Sequence, residues 1–264
     1  MGNASAADDT ALLKVEQSGA VLTVGLNRPA KRNALNDGII LALQDCFSAI
    51  PDTIGAVVIH GIGDHFSSGL DLSELTERDA TEGLVHSQMW HRVFDRIQYC
   101  RVPVIAALKG AVIGGGLELA CAAHIRVAEP SAYFALPEGQ RGIFVGGGGS
   151  VRLPRLIGVP RMADMMLTGR VYSATEGASY GFSQYLTEAG GSLAKALELA
   201  ERVAANAPLT NFAVLQALPM IAEANPQAGL LMESLMATVA QSDKEAKRRI
   251  REFLDRKTAK VKPT

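Results

Sequence analysis

The chain contains 264 residues, with 26 lysines and arginines against 27 aspartates and glutamates and a formal net charge of -1. This length is typical of one large domain or two small ones. The near balance of charges argues against a protein defined by a polyanionic partner, so we expect no nucleic-acid partner. A hydrophobic content of 48% is typical of a globular protein, and an aromatic content of only 5% predicts a mainly aliphatic core.

The cysteines and the N-terminal residues bear on the compartment. Cys46, Cys100 and Cys121 fit no metal spacing and leave an odd thiol, which is typical of a reduced intracellular protein. The first residues lack the basic and then apolar pattern of a secretory signal. No apolar run reaches the ~18 residues of a membrane span. We therefore expect a soluble, cytoplasmic chain with no membrane partner.

Short buried-strand patterns alternate with segments of helical periodicity through most of the chain. Runs that are apolar throughout indicate strands covered on both faces, as in the sheet of an α/β protein. The periodicity of the intervening segments favours helices. The predicted strands are residues 20–26, 55–61, 102–108, 124–130 and 132–139, and the predicted helices are residues 37–50, 84–99 and 115–123.

From about residue 192 the patterns become helical only. Pro208 and Pro226 lie between the predicted helices, where prolines interrupt a helix. The sequence therefore predicts an α/β core over residues 1–191, which carries the site, and a helical region over residues 192–264.

A glycine cluster stands between a predicted strand and a predicted helix. Gly110 and Gly114–Gly116 have neither the Lys-Ser/Thr of a phosphate-binding loop nor the spacing of a dinucleotide fingerprint. One interpretation is close packing in a tight turn. The other is that backbone N–H groups face a cavity at a helix N-terminus, where they would stabilise negative charge on an oxygen.

Two glutamates follow apolar runs. Glu118 lies in the helix that the glycines open, and Glu138 follows twenty residues later after Pro137. Each alone has a structural interpretation: Glu118 as a first-turn glutamate stabilised by the helix dipole, and Glu138 as a solvated turn residue. Together, two carboxylates in apolar surroundings indicate an acid–base pair with raised pKa values.

Other features carry less information on their own. The loop 66–75 is typical of an N-capped helix start. The five histidines form no metal-binding pattern, so we expect no metal site, and no Gly-x-Ser-x-Gly elbow indicates a serine hydrolase. The composition of the glycine run 146–149 does not decide whether these residues line a cavity.

These segments, in this order, resemble the crotonase superfamily of enoyl-CoA hydratases and isomerases. The most specific part is a Gly-Gly-Gly-x-Glu-Leu-Ala stretch, with a Pro-Glu pair twenty residues later, that follows a Ser-Gly-x-Asp loop. The resemblance implies an α/β fold with a spiral core of ββα repeats and a C-terminal helical oligomerisation region. It covers most of residues 20–182 through VLTVGLNRPAKRNALN, FSSGLDL, VPVIAALKGAVIGGGLELACAAHIRVA, YFALPEGQRGIFVGGGGSVRLPRLIG and MADMMLTGRVYSATEGASYG.

The resemblance also implies catalytic roles. The backbone N–H groups of Leu70 and Gly115 would form an oxyanion hole for the thioester carbonyl. Glu118 would act as base on a water molecule that attacks the β-carbon, and Glu138 would deliver a proton to the α-carbon. Gly146 matches a glycine that borders the position of that water.

Further residues match the substrate-binding part of the family. The resemblance implies a coenzyme A site, with a contribution from the tail of a neighbouring subunit, and an acyl pocket. The implied coenzyme A contacts are Lys31, Arg32, Ser68, Asp71, Leu72 and Arg256, and the expected acyl-pocket residues are Trp90, Phe94, Ile143 and Phe144. The tail departs from the family pattern, since EAKRRIREFLDRK keeps only Phe253 and the basic cluster.

The pattern as a whole favours an enoyl-CoA hydratase that adds water syn across the 2,3 double bond. It would use no cofactor beyond the coenzyme A of its substrate, and the family implies a homotrimer or a dimer of trimers. Two alternatives stay within the fold: a hydratase or hydratase–hydrolase for carnitinyl-, methylthioacryloyl- or aromatic acyl-CoA, and an isomerase, which the glutamate pair disfavours. A third is a non-catalytic acyl-CoA- or RNA-binding member.

Overall fold

The computed structural model describes residues 11–74 and 77–255. A six-stranded sheet has the order β1-β2-β3-β4-β6-β9, and a three-stranded sheet has the order β5-β7-β8. The strands are β1 Leu13–Ser18, β2 Val21–Leu26, β3 Ala56–Gly61, β4 Val104–Leu108, β5 Ala111–Ile113, β6 Ile125–Ala128, β7 Tyr133–Ala135, β8 Tyr172–Ser173 and β9 Tyr185–Leu186.

The predicted buried strands form the centre of the larger sheet. β2, β3, β4 and β6 are parallel neighbours, and every residue of β4 is buried, as expected for a strand covered on both faces. β1 is missing from the predicted strands. It pairs antiparallel with β2 at the edge of the sheet, and its side chains from Lys14 to Ser18 are exposed, so it has no apolar run.

The predicted helices are present with small changes at their ends. Asn36 caps α1 by accepting a hydrogen bond from the Ile39 N–H, and Asp79 and Glu82 form a capping box at the start of α2. The helices are α1 Asp37–Ser48, α2 Ala80–Gln98, α3 Gly115–Ala122, α4 Gly149–Ile157, α5 Val159–Thr168, α6 Ala174–Tyr180, α7 Ser192–Ala204, α8 Pro208–Phe212, α9 Leu218–Glu223, α10 Pro226–Ser242 and α11 Lys244–Leu254.

Helix α7, the first helix of the predicted C-terminal region, packs on the larger sheet. Its residues Ala196, Leu199 and Ala200 are buried in one cluster with strand residues that include Val58 and Ile105. A boundary at 191/192 thus separates this helix from the sheet that it covers. The helical pattern of residues 192–204 is the same whether a helix packs on the core or on another subunit, which is why sequence alone assigns α7 to the tail.

The smaller sheet brings two distant segments together. β5 and β7 are parallel, with Ile113 opposite Ala135, and the Gly114 N–H donates to the Ala135 carbonyl at 3.0 Å. Helix α3 follows β5 directly, and Glu138 follows β7. Because parallel strands end at the same edge of a sheet, the chain segments that carry Glu118 and Glu138 leave this sheet side by side.

The last two described helices present apolar side chains to solvent. No helix among the described residues is long and apolar enough to span a membrane. The exposed apolar residues of α10 and α11 are Leu230, Leu231, Leu235, Val239, Ile250, Phe253 and Leu254.

Candidate active site

A cavity of about 430 Å³ lies at the edge where β5 and β7 end. Both predicted catalytic glutamates line it, together with both predicted oxyanion-hole residues. The lining residues are Ser68, Gly69, Leu70, Leu72, Arg78, Gly83, His86, Ser87, Trp90, Ile113, Gly114, Gly115, Glu118, Glu138, Arg141, Ile143, Phe144, Val145, Gly146 and Gly147.

Glu118 is held by backbone donors. Only 4% of the residue is exposed, and its Oε1 accepts hydrogen bonds from the N–H groups of Gly147, at 2.9 Å, and Gly149, at 2.7 Å. Burial raises the pKa of the Glu118 carboxyl, whereas these N–H groups and the nearby Arg152 guanidinium lower it. Burial outweighs these contacts, so the pKa of Glu118 lies above its ordinary value, although the two N–H groups are donors placed for a negative charge on Oε1.

The glycine run 146–149 is required for this close approach. A Cβ atom placed on Gly149 would lie 2.7 Å from Cγ of Glu118, and one placed on Gly147 would lie 2.9 Å from the Phe94 ring. Gly146 and Gly147 line the cavity, which answers what composition left open. The Gly147 N–H donates to Glu118 at 2.9 Å, and the Gly146 backbone also lowers the pKa of that carboxyl. The expected role of Gly146 beside a water molecule stays a prediction.

Arg152 supports the same loop from behind. The residue is 7% exposed, and its guanidinium donates to the Gly147 carbonyl at 3.0 Å, to Gln98 at 2.6 Å and to Asp95 at 2.5 Å. Gly147 thus gives its N–H to Glu118 and its carbonyl to Arg152. Arg152 is not among the predicted site residues, because an arginine inside an amphipathic helix ordinarily indicates a solvated face.

Glu138 has different surroundings. It is 8% exposed, and its Oε2 is buried without a hydrogen-bond partner among the described residues. Burial raises the pKa of this carboxyl to about 7; the charge of Glu118 also raises it, and that of Arg141 lowers it. Within the described residues, no donor therefore stabilises a negative charge on Oε2 of Glu138. Because its pKa is raised, Glu138 retains its proton to higher pH than an exposed glutamate.

The backbone amides of Leu70 and Gly115 come close together at the cavity. A Cβ atom placed on Gly115 would lie 3.6 Å from the Leu70 nitrogen, and one placed on Gly69 would lie 3.2 Å from the Gly115 nitrogen. Gly115 is the first residue of α3, so its N–H has no carbonyl partner one turn earlier and lies at the positive end of the helix dipole. Two amides in this arrangement can bind one anionic oxygen.

Hydrogen bonds on both sides fix the loop that carries Leu70. The Leu35 N–H donates to the Gly69 carbonyl at 2.7 Å, and the Asp71 N–H donates to the Leu35 carbonyl at 2.8 Å. On the other side, the Ser67 N–H donates to the Ala111 carbonyl at 2.9 Å. The loop is thus tied to the chain before α1 and to β5.

The residues expected to contact coenzyme A fall into two groups. Ser68 and Leu72 line the cavity, whereas Lys31, Arg32 and Asp71 do not. Arg256 lies outside the described residues.

Asp71 is a partner of cations in this structure. It is 6% exposed and pairs with Arg28 at 2.9 Å and Lys31 at 3.0 Å. A hydrogen bond from Ser73, together with these two cations, holds the pKa of its carboxyl well below the ordinary range. Its carboxylate therefore fixes the loop and Lys31 rather than facing the cavity.

Most of the expected acyl-pocket residues line the cavity. Trp90, Ile143 and Phe144 do so, whereas Phe94 packs edge-on against Trp90, with ring centroids 5.7 Å apart. Ser87 is an additional lining residue, and its hydroxyl donates to the Gly146 carbonyl at 2.7 Å. Helical spacing places Ser87 only three residues before Trp90, which is the one signal in the sequence that could have found it.

The cavity also contains basic residues that the sequence analysis does not single out. Arg78, His86 and Arg141 all line it. Asp37, at the start of α1, lies 2.7 Å from His86 and 3.7 Å from Arg78. Across residues 11–74 and 77–255, no three His, Cys, Asp or Glu side chains form a group that could hold a metal ion.

The chain is similar to known proteins of one family. The family model described as enoyl-CoA hydratase/isomerase matches residues 16–263. The chain is 35% identical over 254 residues to the 2,3-dehydroadipyl-CoA hydratase of Escherichia coli (strain K12), covering 95% of this chain and 98% of that protein. It is 33% identical over 254 residues to a probable enoyl-CoA hydratase of Bacillus subtilis (strain 168), covering 95% and 97%.

Solved structures give the same result. The crystal structure of a putative enoyl-CoA hydratase from Rhodopseudomonas palustris is 81% identical and has a TM-score of 0.92, covering 98% of this chain and all of that one. The structure of Pseudomonas aeruginosa DspI, at 28% identity, has a TM-score of 0.88 over 98% of this chain and all of that one. The α/β core, the C-terminal helices and these matches together show that the chain belongs to the enoyl-CoA hydratase/isomerase family, within the crotonase superfamily.

Proposed function

We propose that the protein is an enoyl-CoA hydratase, which adds water across the 2,3 double bond of a 2-enoyl-CoA thioester. The observation that carries this proposal is the pair of buried carboxyl groups, Glu118 and Glu138, on one cavity beside the Leu70 and Gly115 amides. An isomerase needs one group to move a proton, whereas hydration needs a base for water and an acid for carbon. Hydratases among the similar proteins, such as the one from E. coli, support the same choice.

The surroundings of the two carboxyl groups support different roles. Burial raises the pKa of Glu118 as well, but two backbone N–H groups donate to its Oε1 and stabilise a negative charge there, so we assign this group as the base. The raised pKa of Glu138, about 7, keeps its proton available, so this group acts as the acid. Two carboxyls whose environments differ in this way divide acid and base work between them.

In the proposed step, Glu118 gains one proton and Glu138 loses one. Glu118 takes a proton from water as the water oxygen bonds to the β-carbon, and the π electrons of the double bond move toward the thioester oxygen. The Leu70 and Gly115 N–H groups stabilise the enolate oxygen. Glu138 gives its proton to the α-carbon, and the thioester carbonyl re-forms. A proton passing from Glu118 to Glu138 through the next water restores the enzyme.

The magnitudes fit such a mechanism. General acid–base catalysis contributes about 10²–10⁴-fold, and one oxyanion-hole donor contributes about 10²–10³-fold. The enolate is formed only if the oxyanion hole and the carboxyl pair act on the same substrate, which is why their shared cavity matters more than either motif alone.

A turnover assay tests this proposal. Purified protein is incubated with crotonyl-CoA, and loss of the conjugated thioester absorbance is followed. We expect turnover by the wild type and a decrease of about 10²–10⁴-fold in kcat for Glu118→Gln and for Glu138→Gln. Binding of a saturated acyl-CoA, measured by calorimetry, should change little in either variant. Absence of turnover with every enoyl-CoA, at high enzyme concentration, would refute the proposal.

The substrate end and the assembly are proposed with it. Ser68 and Leu72 would contact the pantetheine part of coenzyme A, because they line the cavity beside Leu70. Lys31 and Arg32 would lie toward its phosphates. The exposed apolar residues of α10 and α11 support assembly as a homotrimer or a dimer of trimers.

A further inference from the structure

The two arginines of the cavity differ in how their charge is balanced. Arg78 and His86 both face Asp37, at 3.7 Å and 2.7 Å. Arg141 is exposed and also lines the cavity, and its side chain forms no hydrogen bond or ion pair within residues 11–74 and 77–255. Among the cavity's two arginines, Arg141 is thus the one whose charge the described part of the chain leaves unbalanced.

The backbone holds Arg141 in a defined place beside Glu138. Residues Gly139–Arg141 form a short 3-10 turn, and the Arg141 N–H donates to the Glu138 carbonyl at 3.0 Å. Gly142 ends the turn at a φ of 71°, in the left-handed region that favours glycine. The chain then continues into the apolar wall of Ile143, Phe144 and Val145.

The charge of Arg141 works against the chemistry of its neighbour. Its positive field lowers the pKa of Glu138, whereas burial and the charge of Glu118 raise it. A positive charge three residues away makes Glu138 lose its proton at lower pH, which is unfavourable for a group that acts as the acid. An anionic group of the substrate placed on Arg141 would cancel that field, and a guanidinium binds a carboxylate with two parallel hydrogen bonds.

We propose that Arg141 binds a carboxylate at the far end of the acyl group, so that the preferred substrates are ω-carboxy-2-enoyl-CoA thioesters. This inference rests on the proposed hydratase function. It names the class of acyl chain, and it gives the Arg141 charge a partner that arrives with the substrate.

The position of Arg141 favours the acyl end over the phosphates of coenzyme A. The residues proposed for coenzyme A, Ser68 and Leu72, come from the loop between β3 and α2. Arg141 comes from a different segment, three residues after Glu138, which is proposed to protonate the α-carbon, and two residues before the apolar wall Ile143–Val145. An acyl chain that lies along this wall would carry its terminal group near Arg141.

The test uses paired substrates. The full-length protein is assayed with 2-enoyl-CoA thioesters that end in a carboxylate, at increasing chain length, each beside the analogue that ends in a methyl group. For wild type we expect at least one carboxylate substrate to have a higher kcat/KM than its methyl partner. Arg141→Gln should lower kcat/KM by about 10- to 100-fold for the carboxylate series and by less than about 3-fold for the methyl series. Arg141→Lys should restore part of the loss.

Two controls separate the inference from the other interpretations. Arg92→Gln removes one charge from the exposed face of α2, away from the cavity, and should change neither series. Calorimetric titration with saturated ω-carboxyacyl-CoA measures the Arg141 contact without turnover, so it stays informative if no enoyl-CoA is hydrated. The basic limb of the kcat–pH profile should lie at higher pH with the carboxylate substrate than with its methyl partner, in wild type but not in Arg141→Gln.

Three outcomes contradict the inference in distinguishable ways. Equal turnover of both series by wild type and by Arg141→Gln would overturn it and leave the hydratase function standing. An equal loss in both series that disappears with pantetheine thioesters would assign Arg141 to the phosphates of coenzyme A. Turnover of neither series by wild type would refute the hydratase function, and the calorimetric comparison would then decide the carboxylate contact alone.

Discussion

At the scale of single residues, two glutamates of the same chemical type have opposite surroundings. Glu118 accepts two backbone hydrogen bonds at 2.9 Å and 2.7 Å. Glu138 has a buried oxygen without a partner among the described residues. These surroundings support the proposed division into base and acid, and the proposed acid makes a prediction for the pH dependence.

The first prediction concerns the pH dependence of catalysis. Glu138 must be protonated to act as the acid, and burial raises its pKa to about 7. Because the proton is lost as the pH rises through this value, we expect kcat/KM for crotonyl-CoA to fall above about pH 7. The measurement is a pH profile of kcat/KM for wild type and for Glu138→Asp. The shorter side chain places the carboxyl differently, so the pH at which kcat/KM falls should change in this variant. A wild-type profile that stays flat up to pH 9 would contradict the assignment of Glu138 as the acid.

The second prediction concerns Arg152, which holds the Gly147 carbonyl. Arg152→Gln removes its bonds to Gly147 and Asp95, so the loop that positions Glu118 loses its support. We expect kcat to fall by about 10- to 100-fold with KM changed by less than about 3-fold, because Arg152 does not line the cavity but holds the loop that positions Glu118 for the chemical step. The acid limb of the pH profile should move to higher pH, since the positive charge that lowers the pKa of Glu118 is gone.

The matched control is Arg155→Gln on the same helix. Arg155 is exposed and pairs with Glu223 at 2.7 Å, and its loss should leave kcat and the acid limb unchanged. Arg152→Lys should recover part of kcat and of the pH shift. Equal effects of both Gln variants would mean that α4, rather than the Arg152 contact, is responsible.

At the scale of secondary-structure elements, the site depends on how closely α3 approaches the loop that carries Leu70. Gly116 lies against Ser67, and a Cβ atom placed on Gly116 would lie 2.7 Å from both the Cβ and the carbonyl oxygen of Ser67. Backbone atoms of two elements fixed by hydrogen bonds cannot move apart cheaply.

The third prediction follows from this contact. Gly116→Ala should lower the free energy of unfolding by about 1–3 kcal/mol and should also lower kcat, because the Leu70 and Gly115 amides move apart. Gly83→Ala is the control for stability alone, because Gly83 lines the cavity; a Cβ there meets nothing within 4 Å, and alanine favours a helix. Denaturant unfolding checks both variants, and crotonyl-CoA turnover checks Gly116→Ala. A fully stable, fully active Gly116→Ala would contradict the close approach.

Much of the element pattern could be predicted from the sequence, for identifiable reasons. β3 and β4 are short, apolar and bounded by turns, and they were predicted within two residues at each end. Exposed β1 and two-residue strands such as β8 give no such pattern. The packing of α7 on the sheet is a tertiary choice that helical periodicity does not contain.

At the scale of the whole molecule, α10 and α11 expose a group of large apolar side chains to solvent. Leu231 and Leu235 are 62% and 60% exposed in the single chain. Large exposed apolar surfaces are ordinarily interfaces, and the proposed trimer would cover this one.

The fourth prediction tests that assembly. Sedimentation should give the wild type a mass of three or six chains, and Leu235→Lys should shift it toward the monomer, because a buried unpaired charge is costly at an interface. Leu167→Lys, at a residue that is 83% exposed and outside these helices, should not change the mass. A monomeric wild type would refute the trimer.

Part of the candidate site could be predicted from the sequence, and part of it depends on contacts across the fold. Glu118, Glu138 and the Leu70 and Gly115 amides were predicted by motif, and the structure brings all four to one cavity. Arg152 and Arg141 were not singled out. Their importance depends on which atoms face them across the fold: the Gly147 carbonyl for Arg152, and the lack of a described partner for Arg141.

The identity of the product tests the central claim most directly. Crotonyl-CoA is incubated with the protein in heavy water enriched in heavy oxygen, and the product is analysed by mass spectrometry before and after hydrolysis of the thioester. Two carboxyls that add water predict a 3-hydroxyacyl-CoA that carries one heavy oxygen on the β-carbon and one deuterium on the α-carbon. A deuterated but unhydrated enoyl-CoA, or free acid without the hydroxyl group, would contradict the assignment of Glu118 and Glu138 as the base and acid of a hydratase.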